Sequence, residues 1–309
     1  MIPNRQDITP ILGFSCLPLL LVFPVTLFVP VLNYMISLAA IFAALYLAIN
    51  KMDILLAIGL LGSLGVLLSV HGLKPWMVSF WAIATVPGAV LGRSIAFGVT
   101  PRKAFFAAMA ISVVLSLLFF YLIREPFSES MDSLRGWMLS VIGAWDTSDA
   151  FKADLADSFG SLFSMTKRLA PAFMALHGVT LLFIGWLILK MVMDMMRKFH
   201  PGLGSFIYWK MPPLFIYIAG LFFLVRLIGP DLLKVIADNA LLFLGFFYAL
   251  FGFAVIEFFL KKVRLSLILK VLFYLGFVFL QLPGLIMAAM IGLFDSYFDF
   301  RKVRARMIG

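Results

Sequence analysis

Charge is scarce in this chain: only 13% of its 309 residues are Asp, Glu, Lys or Arg, about half of the roughly 25% that a soluble domain carries. No soluble catalytic domain is left over from such a composition. Cysteine is scarcer still, with Cys16 alone inside an apolar run, so neither a disulfide nor a thiolate metal site can form within one chain. The three histidines, His71, His177 and His200, stand in different segments, and no metal-ligand spacing joins them. Also missing are a Gly-x4-Gly-Lys-Ser/Thr phosphate loop and any local Ser/His/Asp or paired acid/base signature. The expectation is therefore no metal, no cofactor, no nucleotide hydrolysis by the chain itself and no enzymatic activity.

Apolar surface is what the sequence has in excess. Hydrophobic residues fill 63% of the positions and the mean hydropathy is +1.09, which identifies a polytopic membrane protein whose first partner is the lipid bilayer. The formal net charge of +10 does not indicate nucleic acid. Its cations cluster at the ends of apolar runs, as the short cytoplasmic loops of membrane proteins do, rather than along one face with interleaved aromatics. Residues Met1–Pro10 lack a basic n-region and a cleavage site and read as a short retained tail.

A spanning helix needs about 20 mainly apolar residues, and the runs of that kind predict an all-α transmembrane bundle of about nine segments, eight to ten. Ile11–Ile49 holds two of them, with a turn at Pro30 and Asn33 and kinks at Pro18 and Pro24. Others follow at about 54–70, 75–98, 104–122, 169–193, 213–228, 237–260 and 271–294. Domain organisation follows: an N-terminal membrane bundle over 1–123 with about five spans, an acidic extramembrane loop over 124–168, a C-terminal bundle over 169–300 with about four, and a basic tail over 301–309. Within the loop, Met138, Leu139, Ile142 and Trp145, then Phe151, Leu155, Phe159, Leu162 and Phe163, recur at helical spacing, which predicts amphipathic helices lying on the membrane.

An inside N-terminus places the basic loops at Lys51, Arg93–Lys103, Lys190–Lys210 and Lys261–Lys270 in the cytoplasm and the acidic loop outside. Nine spans then leave the C-terminus outside, against the cations Arg301, Lys302, Arg304 and Arg306. Two readings reconcile this: a final hairpin broken at Pro283-Gly284, or one earlier segment that does not cross.

Polar groups in hydrocarbon are costly, on the order of 2.5–3.5 kcal/mol for a charge at a helix centre on insertion scales, so each has a structural and a functional reading. Glu257 stands four residues before Lys261, either as a helix-surface ion pair or as a coupling-ion or substrate carboxylate. His177 is either a buried imidazole bonded to a carbonyl or a proton relay. Arg226 either snorkels outward near Asp231 or recognises an anion, and Arg93 lies late enough in its span to snorkel. Asn239 and Gln281 can bond across helices. Ala84, Gly88, Gly92 and Ala96, four residues apart, form a stripe that admits a second backbone. At the end of the chain, Asp295 and Asp299 share a helical face beside Arg301, either as a salt-bridged helix terminus or as a docking surface for a partner.

The run Gly292-Leu293-Phe294-Asp295-Ser296-Tyr297-Phe298-Asp299-Phe300-Arg301 resembles the C-terminal signature of the YybS-like family of predicted integral membrane proteins, a domain of unknown function, with Tyr297 where that family often has Trp. Phe28-Val29-Pro30-Val31-Leu32, Trp209-Lys210-Met211-Pro212, and Asn239 followed by Gly252-Phe253-Ala254-Val255-Ile256 look like further stretches of the family in the same order. The resemblance extends in fold to the substrate-binding S-components of energy-coupling-factor transporters. What it implies is a multi-pass protein of the bacterial cytoplasmic (inner) membrane, acting as a substrate-binding or transport subunit with other membrane proteins or a separate ATPase module as partners. Two departures stand against that transporter reading. The first span lacks the small-residue patch of such S-components, which Ala39, Ala40, Ala43, Ala44 and Ala48 supply in the second, and the 124–168 insert is long for one. The alternative is a non-transporting membrane scaffold.

Overall fold

The computed structural model describes residues 30–71, 75–145, 148–195 and 206–301, and among them every element is helical. The first expected span, with Cys16, Pro18 and Pro24, lies outside the described residues, as do His200 and the tail from Lys302 onward. The chain divides into two compact units, Met1–Gly202 and Leu203–Gly309.

The first unit holds α1 (Pro30–Ile49), α2 (Asp53–His71), α3 (Pro75–Ala96), α4 (Pro101–Gly143) and α5 (Asp149–Met195). Helix α1 is its axis: Ala40, Ile41, Ala43, Ala44, Leu45, Leu47 and Ala48 expose no surface at all. A helix apolar all round has to be covered all round, and α3 and α5 cover it. Small residues set the separation. A Cβ on Gly88 would stand 2.7 Å from the Ile41 carbonyl oxygen, and one on Gly92 would stand 2.6 Å from that of Leu45. Ala84 packs against Ala40 in the same seam, and Ala96 ends the stripe half-buried. From the other side, a Cβ on Gly185 of α5 would run into the Ile41 side chain. Backbones this close gain dispersion contacts, which matter in lipid because tails are as apolar as leucine and supply no hydrophobic drive.

Helices α4 and α5 form one antiparallel hairpin. Ser112 and Ser116 stand against Gly178, Arg135 lies over Gly160, and Lys152 Nζ donates to the Gly143 carbonyl at 3.2 Å. At 1.5 Å per residue their 43 and 47 residues make rods of about 65–70 Å, twice the thickness of a hydrocarbon core. The structure therefore corrects the picture of 124–168 as a loop with separate helices resting on the membrane. That stretch is the far half of the hairpin, and both helices run unbroken through residues 123 and 168. Of the apolar residues expected to face lipid, Ile142 is buried and Met138, Leu139, Leu155, Phe159 and Phe163 are half-buried in the hairpin, whereas Trp145, Phe151 and Leu162 are exposed. Pro126 and Pro171 lie inside the helices without ending them. Lys167 ties the rods together, 2.6 Å from Asp132 Oδ1 and donating to Ser128 Oγ at 3.0 Å. Its hydrogen bond holds the Asp132 carboxyl below the usual carboxylate range.

The second unit starts with a 3-10 turn, Phe206–Tyr208, followed by α6 (Leu214–Ile228), α7 (Asp231–Lys262) and α8 (Leu267–Phe298). Helix α8 carries Pro283, and its arms Ile268–Phe277 and Leu282–Phe298 stand at 108° to each other. A proline within a helix removes one hydrogen bond and crowds a carbonyl, which is a sufficient cause for such a break. The second arm lies antiparallel on α7 with no room between backbones. A Cβ on Gly252 would collide with the Ala288 carbonyl, and one on Gly292 with that of Tyr248.

Among the described residues, four helices are long and apolar enough to cross a membrane, within Val78–Ala96, Pro101–Gly143, Asp149–Met193 and Asp231–Lys262, and the bent α8 makes a fifth if its arms form one span. That is fewer than the nine expected. The apolar stretches Ser37–Ile49, Asp53–Gly65 and Leu214–Ile228 are shorter, the first two being parts of α1 and α2, which run to 20 and 19 residues.

Replacing Gly92 by Val should lower the melting temperature in detergent strongly, since overpacking costs about 1–3 kcal/mol and more where backbone is the obstacle. Gly62→Val, whose Cβ meets nothing within 4 Å, should leave it nearly unchanged.

Candidate functional site

Helix α8 stops because Asp299 takes the left-handed conformation, with φ at 53°, and its N–H donates back to the Asp295 carbonyl at 2.9 Å. That reversal returns Arg301 towards the helix it has just left. The guanidinium is fully buried and makes four hydrogen bonds. Nε and Nη2 donate to Asp295 Oδ2 at 3.2 and 2.7 Å, Nη2 also donates to the Trp209 carbonyl at 2.6 Å, and Nη1 donates to that of Ile207. The two carbonyls are free to accept because the chain there is a short 3-10 turn running into non-helical residues ahead of Pro212 and Pro213. Beside this pair, Lys210 Nζ lies 2.7 Å from Asp299 Oδ1, its side chain 8% exposed. Two acids and two bases are thus closed into one buried knot. Asp295 Oδ1 has no hydrogen-bond partner among the described residues.

The depth of the knot follows from helix register. Ala288 meets Gly252 and Gly292 meets Tyr248, so Asp295, one turn further on, lies level with residues near Leu244 on α7. Lys261 and Lys262 at the end of α7 are then about 25 Å away along the axis. The charges lie alongside the apolar stretch of α7. Irregular backbone and charge at that depth are tolerated only when buried in protein and bonded there.

The remaining sequence-derived candidates are distributed rather than gathered. Arg93 Nη1 pairs with Asp53 Oδ1 at 2.7 Å, and its guanidinium sits 4.4 Å from the centre of the Phe97 ring. His177 is half-buried on α5 next to Gly178. Arg226 pairs with Asp238 at 2.6 Å, not with Asp231, which pairs with Lys234. Asn239 donates to the Val235 carbonyl one turn back at 2.9 Å. Glu257 is the second dense point: it accepts from Tyr274 at 2.9 Å and Lys270 at 3.2 Å across to α8, with Lys261 at 3.6 Å along its own helix. Gln281 lies in α8, its side chain outside the described residues. Of the terminal signature, Gly292, Asp295 and Arg301 are buried and Asp299 half-buried, whereas Tyr297 is exposed in an aromatic group with Phe294, Phe298 and Phe300. Asp295 and Arg301 are thus turned inward, where no docking partner reaches them.

Sequence reasoning missed the acceptors on Ile207 and Trp209, the role of Lys210, and Tyr274 and Lys270 as the cross-helix partners of Glu257. Backbone carbonyls carry no residue signature, and the contacts to Arg301 span 92 and 94 positions. Among the described residues no group of three His, Cys, Asp or Glu is placed to hold a metal ion.

Compared with known proteins, residues 17–296 match the family model described as Predicted membrane protein (DUF2232). The match includes Asp295 and ends before Asp299 and Arg301. No curated protein and no solved structure matches the chain.

Lys210→Met removes the cation that faces Asp299 while keeping much of the buried stem. The melting temperature should fall by the equivalent of about 3–5 kcal/mol, the cost of stripping one partner from a buried pair, and Lys210→Met combined with Asp299→Asn should recover part of it.

Proposed function

We propose that this chain, which belongs to the family of predicted membrane proteins DUF2232, is a non-enzymatic, multi-pass protein of the bacterial cytoplasmic membrane that binds a small solute as the substrate-binding or transport subunit of a larger assembly. The observation that carries the reading is the charged knot of Asp295, Arg301, Asp299 and Lys210, formed beside the apolar stretch of α7 where α6 begins and α8 ends. Charges at such depth are expensive, and ionisable residues there are by default functional candidates. Helices that begin or end inside a bundle are also how many transporters expose polar backbone to a solute.

In this reading the membrane segments number about nine: the five candidates, the three shorter apolar helices and one in the first 29 residues. The acidic far half of the α4–α5 hairpin is outside, and the basic turns at Lys51 and Arg264 are inside. The YybS-like resemblance and the S-component-like core fit this architecture, and a separate ATPase module is the partner they imply. A second reading, a membrane scaffold, is favoured by one observation: the hairpin tip exposes Trp137, Trp145, Phe151 and Leu162 among its carboxylates.

The deciding experiment is a thermal-shift screen of the detergent-purified protein against vitamins, nucleobases and divalent ions. A ligand of the folded state at one hundred times its Kd should stabilise by about 2.7 kcal/mol. That shift should vanish in Glu257→Gln or Lys210→Met if the solute binds in the second unit. No shift across the panel, with partner proteins crosslinked through a cysteine introduced at Trp145, would favour the scaffold.

A further inference from the structure

We propose that the far half of the α4–α5 hairpin is a homodimer interface, on which a second copy of this chain seats the same face to complete a four-helix bundle outside the membrane. Register and helical spacing define that face. Ser128 against Lys167, Arg135 against Gly160 and Gly143 against Lys152 fix the antiparallel register. At about 3.6 residues per turn, Leu134, Trp137 and Trp145 fall on one flank of α4, to one side of its contact line with α5, and Phe151, Leu162 and Met165 fall on one flank of α5. Because the two helices run in opposite directions, both flanks turn to the same side of the hairpin and make one apolar face. Glu125, Glu129 and Asp132 of α4 and Asp157 of α5 lie on the other side.

The size of the face and the placement of charge select its occupant. The six apolar side chains are between 43% and 59% exposed, and at about 200–250 Å² of surface for each large side chain they leave about 600–800 Å² in one place. A monomer rarely shows more than a few hundred Å² as one patch, about 300–600 Å² at most, whereas a stable dimer buries about 800 Å² per partner. The bilayer does not reach the face. The near halves of the rods fill the roughly 30 Å of hydrocarbon, and both helices continue unbroken beyond it. A basic partner would be drawn to the carboxylates, which are on the opposite side. The six residues of the face carry no charge, so two identical faces meet without like-charge repulsion, as an isologous contact requires. Both copies sit in one bilayer, so the two-fold axis runs along the membrane normal and α4 of one copy meets α5 of the other at equal height. The register then puts Leu134 of one copy against Leu162 of the other, and Trp145 against Phe151. The contact is independent of the solute reading; in the scaffold reading it makes the chain its own first partner.

The test is disulfide crosslinking of the full chain in membranes, with Cys16→Ser so that the introduced thiols stand alone. Two differently tagged copies are co-expressed, one with Leu134→Cys and the other with Leu162→Cys, and then oxidised. A product joining both tags should form at twice the 34.5 kDa of one chain. The level pair on the acidic side, Glu129→Cys in one copy and Ser164→Cys in the other, should give none. Adding Phe151→Glu to both copies sets two like charges into the interface and should abolish the Leu134–Leu162 link, with helix content unchanged because Phe151 is exposed in the single chain. Absence of that link, an equal yield from the acidic side, or a link that survives Phe151→Glu overturns the proposal. So does capture of a different protein at Leu134→Cys in place of the second copy.

Discussion

A fully buried guanidinium has to be met on every side it offers, and that requirement organises the second unit. Arg301 can be accommodated only if a carboxylate and two accepting carbonyls come to the same point, so two stretches more than 90 positions apart are fixed together: the segment from the 3-10 turn at 206–208 through Lys210, and the last turn of α8. The left-handed turn at Asp299 aims Arg301 back along α8, and the same residue engages Lys210. In water these interactions would each be worth little. Beside apolar helix they are obligatory, because a charge left without its partner there has no solvent to fall back on.

The first unit is held by the opposite device, the absence of side chains. Gly88 and Gly92 bring α3 onto α1 until backbone meets backbone, Gly185 admits the Ile41 side chain against α5, and Gly178 admits the Ser112 and Ser116 side chains of α4. Gly252 and Gly292 repeat the device between α7 and α8, which places the charged knot within one turn of the close contact of Gly292 with Tyr248. Close packing and charge burial are linked there: the small residues exclude lipid and water from the space in which Asp295 and Arg301 pair.

Much of this is legible in the sequence and some is not, for definable reasons. The spacing of Ala84, Gly88 and Gly92 is local and periodic, so a packing stripe can be read directly, although its partner α1 cannot. Asp295, Asp299 and Arg301 stand out as a polar set, but their burial depends on carbonyls more than 90 positions away, and no spacing rule reaches that far. For Glu257 the neighbour four residues on, Lys261, is visible in sequence; the closer contacts to Lys270 and Tyr274 belong to another helix. The 124–168 stretch was legible as amphipathic and helical. That Ile142, Leu155, Phe159 and Phe163 are covered within one hairpin depends on the antiparallel register of α4 and α5, which composition does not encode. Pro126 and Pro171 fall inside continuous helices, where a packed partner outweighs the loss of one hydrogen bond.

The most direct measurement of the central claim is a double-mutant cycle on the buried pair, with Arg301→Met, Asp295→Leu and the combination, scored by thermal unfolding in one detergent. The account predicts that each single change lowers stability by about 3–5 kcal/mol and that the double variant recovers most of the loss, as expected when the penalty comes from a stranded charge. Additive losses, or single variants as stable as the wild type, would contradict it and would mean that the second unit is held by its glycine contacts alone.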